Sequence, residues 1–539
     1  MADAAPARPP RLLAAFATVG LWTLASRVLG FVRDVMIAAA LGSGPVAQAF
    51  VAAFTLPNLF RRFFAEGAFN TAFVPMFSRK LEAEGATAAR DFAEQAQAGL
   101  AALLVVLTLL AQLAMPWLVL ALAAGFAEDA RFPLSVEMGR IAFPYILFIS
   151  LVALLSGVLN ALRRFAVAAA APVLLNVILI GALALAGTGW LEGAVSLPPP
   201  GGETVAGLHA GAMLIWGVAL AGIAQFALVW RAAARAGMRL RPRLPRLTPQ
   251  MRRLAAVAFP AALAGGVMQI NLVVGRQVAS FFDGAVAWLY YADRLYQLPL
   301  GVIGIAVGVV LLPELSRRLA AGDAEGARYS VSRSAEFALA LTMPATVALL
   351  VIPVPLTEVL FGRGAFGAED VSATALAVAI YGAGLPAFVL TKILQPLYFA
   401  REDTRTPFRF AVWGMAVNAA AAIGLAPLIG FAAAALATTL AAWVTLALLW
   451  RGARAFGPEA KADARLARRL PRLAVASLIM GAACLGLAEA LAEALATPGL
   501  RLLALAALVG GGMAAYALAA LGLGAFRPAD IRDALRRRR

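Results

Sequence analysis

The residues best placed to do chemistry are charges set in apolar surroundings. Arg27, Arg33, Arg61, Arg62, Arg294 and Lys392 interrupt long apolar runs, and Asp34, Glu66 and Asp293 are the acids beside them. A cation at mid-membrane costs about 2.5–3.5 kcal/mol on insertion scales, so such a set needs a reason. Asp34 follows Arg27 by seven residues, on nearly the same helix face, and Gly30 between them leaves that face open. Arg62 and Glu66 are spaced i,i+4. Asp293 and Arg294 are adjacent. One account is a set of internal ion pairs. The cations outnumber the acids six to three, however. An unpaired buried cation is expensive, and a wet cavity that receives an anion would offset the cost. The planar fork of arginine suits a diphosphate, to which it donates two hydrogen bonds at once. Arg140 and Arg276 also lie inside helices, but near helix ends from which they can snorkel to the headgroups.

These charges must be positioned by membrane helices. Of 539 residues 62% are hydrophobic and 14% charged, against about 25% charged in soluble domains. The single Cys484 and single His209 exclude a disulfide framework and a Cys/His zinc site. His209, beside a Pro/Gly-rich loop, reads as a solvated loop-end residue. The first apolar segment runs past Ala25 into charged residues and reads as a membrane helix rather than a cleavable signal. Fourteen spans are predicted, at roughly 12–40, 46–77, 93–122, 133–160, 167–187, 207–230, 254–281, 286–315, 335–357, 371–400, 408–425, 430–450, 472–491 and 500–524. The loops check the count. Both termini and the even-numbered connections, with Arg409 and Arg472 at their margins, hold 35 Lys and Arg, whereas the odd-numbered ones hold Arg131, Arg363 and, at a margin, Arg501. Cations gather on the cytoplasmic side, so both termini are expected there. The net charge of +17 therefore reads as topology and contact with anionic lipid, not nucleic-acid binding.

The chain repeats itself. Pro57 matches Pro299, Pro144 matches Pro386, Arg163 matches Arg405 and Asn176 matches Asn418, each pair 242 residues apart. Helices 1–6 thus resemble helices 7–12, with the same orientation. Parallel repeats of this kind form two lobes around a substrate site. The expected fold class is an all-α polytopic membrane protein with two pseudo-symmetric six-helix lobes and two extra C-terminal helices. The expected divisions are 1–235, 236–455 and 456–539, the last ending in a basic cytoplasmic tail.

Four motifs carry a resemblance. S-R-V-L-G-F-V-R-D (Ser26–Asp34), L-P-N-L-F-R-R-F-F-A-E-G-A-F (Leu56–Phe69), F-V-P (Phe73–Pro75) and Y-Y-A-D-R-L (Tyr290–Leu295) resemble the MurJ/MviN lipid II flippases of the MOP exporter superfamily. The likeness extends over about 12–525. It implies a V-shaped alternating-access transporter with a central cationic cavity, and a groove at helices 13 and 14 for a polyprenyl tail. The implied substrate is lipid II, whose diphosphate and carboxylates would meet the arginines. Family-essential arginines map onto Arg27, Arg33, Arg61 and Arg294; neighbouring charged positions map onto Arg62, Glu66, Asp34, Asp293 and Lys392. The resemblance implies transport without covalent chemistry, in the bacterial inner membrane, for peptidoglycan and cell-wall biogenesis. Expected partners are lipid II and membrane lipids, with the cell-wall synthesis machinery a further candidate; a monomer is expected.

The chain departs from the family in two places. Gln48 stands where relatives often have an acid. Some relatives bind sodium through Asn and Asp one turn apart on helix 11 and Thr on helix 12; here Asn418 and Thr438 are present, but the turn after Asn418 offers Ala422. No cofactor is expected; membrane potential, sodium or a proton are the candidate energy sources. The competing functions are a polysaccharide-lipid flippase, or a drug or metabolite antiporter, of the same superfamily. Cationic-drug exporters tend to line the cavity with acids, which the arginine excess disfavours. An integral-membrane glycosyltransferase would need catalytic carboxylates and a sizeable external loop; the loop 187–207 has only Glu192 and Glu203.

Overall fold

A computed structural model describes residues 10–61, 70–202 and 205–526, with side chains at 10–17, 70–71, 260–268, 270–272 and 302–310 left undescribed. The described chain is α-helical with short connections, and no strand occurs among the described residues. Eighteen helices follow in order: α1 (Pro10–Leu41), α2 (Pro45–Arg61), α3 (Asn70–Ala83), α4 (Gly85–Ala123), α5 (Arg131–Ala142), α6 (Tyr145–Ala161), α7 (Phe165–Ala186), α8 (Leu208–Arg235), α9 (Pro249–Ala279), α10 (Ala285–Ala320), α11 (Ala324–Val351), α12 (Pro353–Phe361), α13 (Ala368–Phe399), α14 (Arg405–Ile429), α15 (Ala432–Ala453), α16 (Ala464–Ala490), α17 (Ala492–Ala496) and α18 (Arg501–Gly522). Helix falls on every one of the fourteen predicted spans. Among the described residues ten helices are long and apolar enough to cross a membrane. The other four spans coincide with α1, α2 and α3, α9 and α10, each of which lies partly among undescribed side chains or residues.

Helices are longer than spans because several break or overrun. Predicted span 4 divides at Phe143–Pro144, where proline supplies no N–H, and α6 restarts with Ile146 N–H donating to the Phe143 carbonyl at 3.0 Å. Its repeat mate Pro386 sits inside an unbroken α13. Span 9 breaks at Ile352, and Pro353 opens α12, a position that tolerates the missing donor.

The apolar residues point outward as well as inward. Leu109, Leu113 and Trp117 on α4, Leu478 on α16, and Leu502, Leu503 and Leu518 on α18 are exposed. In water such contiguous surface would drive association; in hydrocarbon it is the solvated face, and the backbone donors are satisfied within each helix. The protein is thus a multi-pass membrane protein.

The chain divides into two compact units at Val273–Val274. In the first, α2 packs on α5, α6 on α8, α7 on α8, and α1 on α7. In the second, α10 packs on α13, α13 on α15, and α14 on α15. Counted as spans, pairs 2·4, 4·6 and 5·6 recur as 8·10, 10·12 and 11·12, so the sequence repeat is a repeat of packing. The last two spans, α16 and α18, pack on each other, and α16 packs on α11 of the second unit.

Candidate functional site

In the first unit Arg33 and Asp34 are buried together in α1. Arg33 Nη2 and Nε donate to Asp34 Oδ1 at 2.7 and 3.0 Å. Arg33 Nη1 donates to Asn176 Oδ1 of α7 at 2.9 Å, and Asn176 Nδ2 donates to the Ser26 carbonyl at 2.9 Å. Two buried charges and a carboxamide thus tie α1 to α7, each polar atom meeting a partner of opposite character. The face bearing Gly30 is not open, as its spacing suggested. A Cβ there would meet Asn176 Nδ2 at 3.5 Å, in ordinary contact, so α7 covers this face. Asp34 is committed to Arg33 rather than to Arg27. Arg27 is exposed and makes no hydrogen bond or ion pair among the described residues. Arg61, the last residue of α2, is half-buried. Arg62 and Glu66 lie outside the described residues.

Gln48 has a definite job. Its Oε1 accepts from Arg131 Nη1 at 3.2 Å, both residues being buried. Arg131 also engages Asp129, with Nε to Oδ2 at 2.8 Å, and lies over the Phe126 ring at 4.5 Å. The negative partner of this arginine is Asp129, so a neutral acceptor suffices at position 48. His209 is half-buried, with Nδ1 2.9 Å from the Val195 carbonyl, and so braces the 187–207 loop rather than being simply solvated.

In the second unit the charges gather around Asp293 and Arg294 of α10. The Arg294 guanidinium carbon stands 4.6 Å from the centre of the Tyr290 ring. Asp293 accepts from the Gln297 carboxamide and lies within electrostatic reach of Tyr296. Arg276, near the end of α9, lies within electrostatic reach of Asp293, Arg294, Tyr290 and Tyr381. It is half-buried and belongs to this cluster, where its position near a helix end had suggested snorkelling. The antiparallel turn from α9 to α10 brings the long arginine back along α10, a relation that spacing within one helix does not reveal. The Tyr296 ring lies 4.9 Å from Tyr381 and 5.5 Å from Phe388, both on α13. Lys392 is exposed one turn beyond Phe388, on the same face of α13. Among the described residues the cluster brings Arg276, Arg294 and Asp293 together beside the rings of Tyr290, Tyr296, Tyr381 and Phe388.

The sodium candidates fare differently. Asn418 is buried in α14, but Ala422 one turn on packs against Val278 and Ala437. The Thr438 hydroxyl donates to the Ala434 carbonyl of its own helix at 3.0 Å. The carboxylate that would charge-balance a cation is missing from this turn, and the residues do not fit the sodium set of the relatives. Among the described residues no group of three His, Cys, Asp or Glu could hold a metal ion.

Sequence comparison bears on what this charge pattern serves. A family model described as lipid II flippase MurJ matches residues 37–504. A "Probable lipid II flippase MurJ" of Rhizobium meliloti (strain 1021) is 46% identical over 536 residues, 98% of this chain and 96% of that protein. Among solved structures, a lipid II flippase MurJ in an inward closed conformation superposes with a TM-score of 0.75 at 23% identity, covering 93% of this chain and 97% of that one. An inward-facing multidrug resistance MATE family transporter of the MOP superfamily gives a TM-score of 0.64 at 14% identity, over 81% of this chain and 96% of that one. At these identities the two structural likenesses speak to fold.

Proposed function

The chain belongs to the lipid II flippase MurJ family, and from that premise we propose that it carries undecaprenyl-diphosphate-linked peptidoglycan precursor from the cytoplasmic to the periplasmic leaflet by alternating access. Its seat is the bacterial inner membrane, with both termini in the cytoplasm. The support for that orientation is the gathering of cations on alternate loops.

The observation that carries the reading is the excess of guanidinium over carboxylate inside apolar helices of both repeats. In the sequence six cations, Arg27, Arg33, Arg61, Arg62, Arg294 and Lys392, stand in apolar runs beside three acids, Asp34, Glu66 and Asp293. A diphosphate supplies the missing negative charge through bidentate hydrogen bonds. The polyprenyl tail stays in lipid while the headgroup moves. Binding neutralises the cations and favours passage from the inward-open to the outward-open state. A ligand shifts such an equilibrium only by its differential affinity for the two states, so the arginines must meet the diphosphate better in one of them. No bond is made or broken. Arg33, Asp34 and Asn176 hold α1 against α7, and so hold the helix that presents Arg27.

Complementation tests the proposal. Cells depleted of their own lipid II flippase should be rescued from lysis by this chain. They should not be rescued by Arg27→Ala, Arg61→Ala or Arg294→Ala variants present in the membrane at normal amount. Rescue by all three would remove the diphosphate-binding role from these residues.

A further inference from the structure

The first unit contains a second cationic site that the transport reading leaves unused. A cavity of about 450 Å³ opens at the basic end of the unit, lined by Arg163, Arg164 and Arg235 with Leu159, Phe165 and Val167. That volume is in the range of small-ligand pockets. Arg163 and Arg164 form the turn between α6 and α7, and Arg235 ends α8. All three are exposed, and their side chains have no hydrogen-bond or ion-pair partner among the described residues. Arg163 has φ +59°, a conformation an arginine adopts only under constraint.

The repeat supplies an internal control. The matching turn of the second unit, between α13 and α14, is charge-balanced. There Arg401 pairs with Glu459 at 3.4 Å, Asp403 accepts from the Thr406 N–H at 2.9 Å, and the positive-φ residue is Glu402. Arginine is thus present at both turns, Arg405 being the repeat mate of Arg163, but the second turn sets Glu402, Asp403 and Glu459 beside its arginines. The first unit instead concentrates three cations and no acid around an open cavity.

We propose that this cavity is a binding site for the phosphate headgroup of an anionic membrane phospholipid. Three guanidinium groups match the oxygens of a phosphodiester. The leucine, phenylalanine and valine beside them match the start of an acyl chain, which a free phosphate lacks. The site lies on the face that bears the basic loops, where anionic lipid is met. It is separate from the charges assigned to substrate, and its occupant seats the cytoplasmic ends of α6, α7 and α8 in the leaflet.

The test uses the full chain purified in detergent, with thermal unfolding as the readout. Phosphatidylglycerol should raise the unfolding temperature saturably; phosphatidylcholine and inorganic phosphate at the same concentration should not. The variant Arg163→Gly/Arg164→Gln/Arg235→Gln should need about a hundredfold more phosphatidylglycerol for the same shift. Glycine accepts the positive φ at position 163, so this variant keeps its turn. A variant with equal charge loss outside the cavity, Arg231→Gln/Arg246→Gln/Arg253→Gln, should respond as the parent does. The proposal is overturned if the two variants lose the response equally, if the cavity variant keeps it, or if phosphatidylcholine or inorganic phosphate reproduces it.

Discussion

At the scale of single residues, Arg33 is a structural arginine. Arg33 spends its donors on Asp34 and Asn176, so Asn176 is a positioning residue for α1. Asn176→Leu should destabilise the protein by about 1–3 kcal/mol, the usual cost of leaving a buried charged donor without its acceptor. Thermal unfolding in detergent measures this, and an unchanged midpoint would contradict the hydrogen-bonding role. Arg276 stands among the charges of a different helix pair, α9 and α10. Because it faces Asp293 and Arg294, Arg276→Ala and Asp293→Asn should couple, each change altering the charge that the other faces. The loss of complementation in the double variant should be well short of the sum of the two single losses; additive losses would place Arg276 outside the cluster. The sequence made the charged residues visible, since an arginine in an apolar run stands out. It did not reveal partners. Arg33 and Asn176 are 143 residues apart, Arg276 reaches its cluster through an interhelical turn, and a glycine that looked like open space marks a packed neighbour.

At the scale of elements, helix length and position were legible because lipid demands about 20 apolar residues per crossing and charge alternation checks the count. The internal breaks were less so. Pro144 interrupts its helix whereas Pro386 does not, because neighbouring packing decides whether a lost hydrogen bond becomes a break. The joint between α11 and α16 was also hidden. Glu336 of α11, buried, accepts from Arg333, Arg465 and Arg469, and Asp463 caps α16 by accepting from the Leu466 N–H at 2.7 Å while meeting Arg333. Tyr516 of α18 donates to the Ala340 carbonyl of α11 at 2.7 Å. These contacts dock the two additional helices onto the second unit. Glu336→Gln leaves Arg469 buried without its counter-charge, and breaking a buried pair this way costs about 3–5 kcal/mol. Faster amide exchange should appear in α16 and α18 before it appears in α13; uniform exchange would contradict a local joint. Burial pushes the Asp463 carboxyl up, but the Leu466 N–H and Arg333 outweigh it and hold it below the usual carboxylate range. A depressed folded-state value stabilises above the unfolded value of about 3.9 and is lost as pH falls through the folded one. Protection of the first turn of α16 should therefore hold at pH 5 and above and weaken below about pH 4, with Asp463→Asn showing no such dependence.

At the scale of the whole molecule, the fold is a packing unit used twice with two helices added, and charge is distributed unevenly over the copies. The first repeat carries Arg27, Arg61 and the basic cavity at its loop end. The second carries the aromatic-walled Asp293 cluster and the dock for α16 and α18. On the proposed mechanism, return of the empty carrier moves net positive charge across the membrane, and one charge crossing 100 mV is worth about 2.3 kcal/mol. An inside-negative potential should therefore change the rate of headgroup translocation in proteoliposomes at fixed substrate gradient, and reversing its sign should reverse the effect; indifference to the potential would leave another energy source. The central claim is that guanidinium groups in apolar helices bind a diphosphate so that its headgroup can cross. The most direct measurement is the rate at which lipid II headgroups become accessible at the opposite face of proteoliposomes reconstituted with equal amounts of parent, Arg27→Ala and Arg294→Ala protein. The account predicts translocation by the parent and a fall to the protein-free rate in both variants; parent-like rates in both would contradict it.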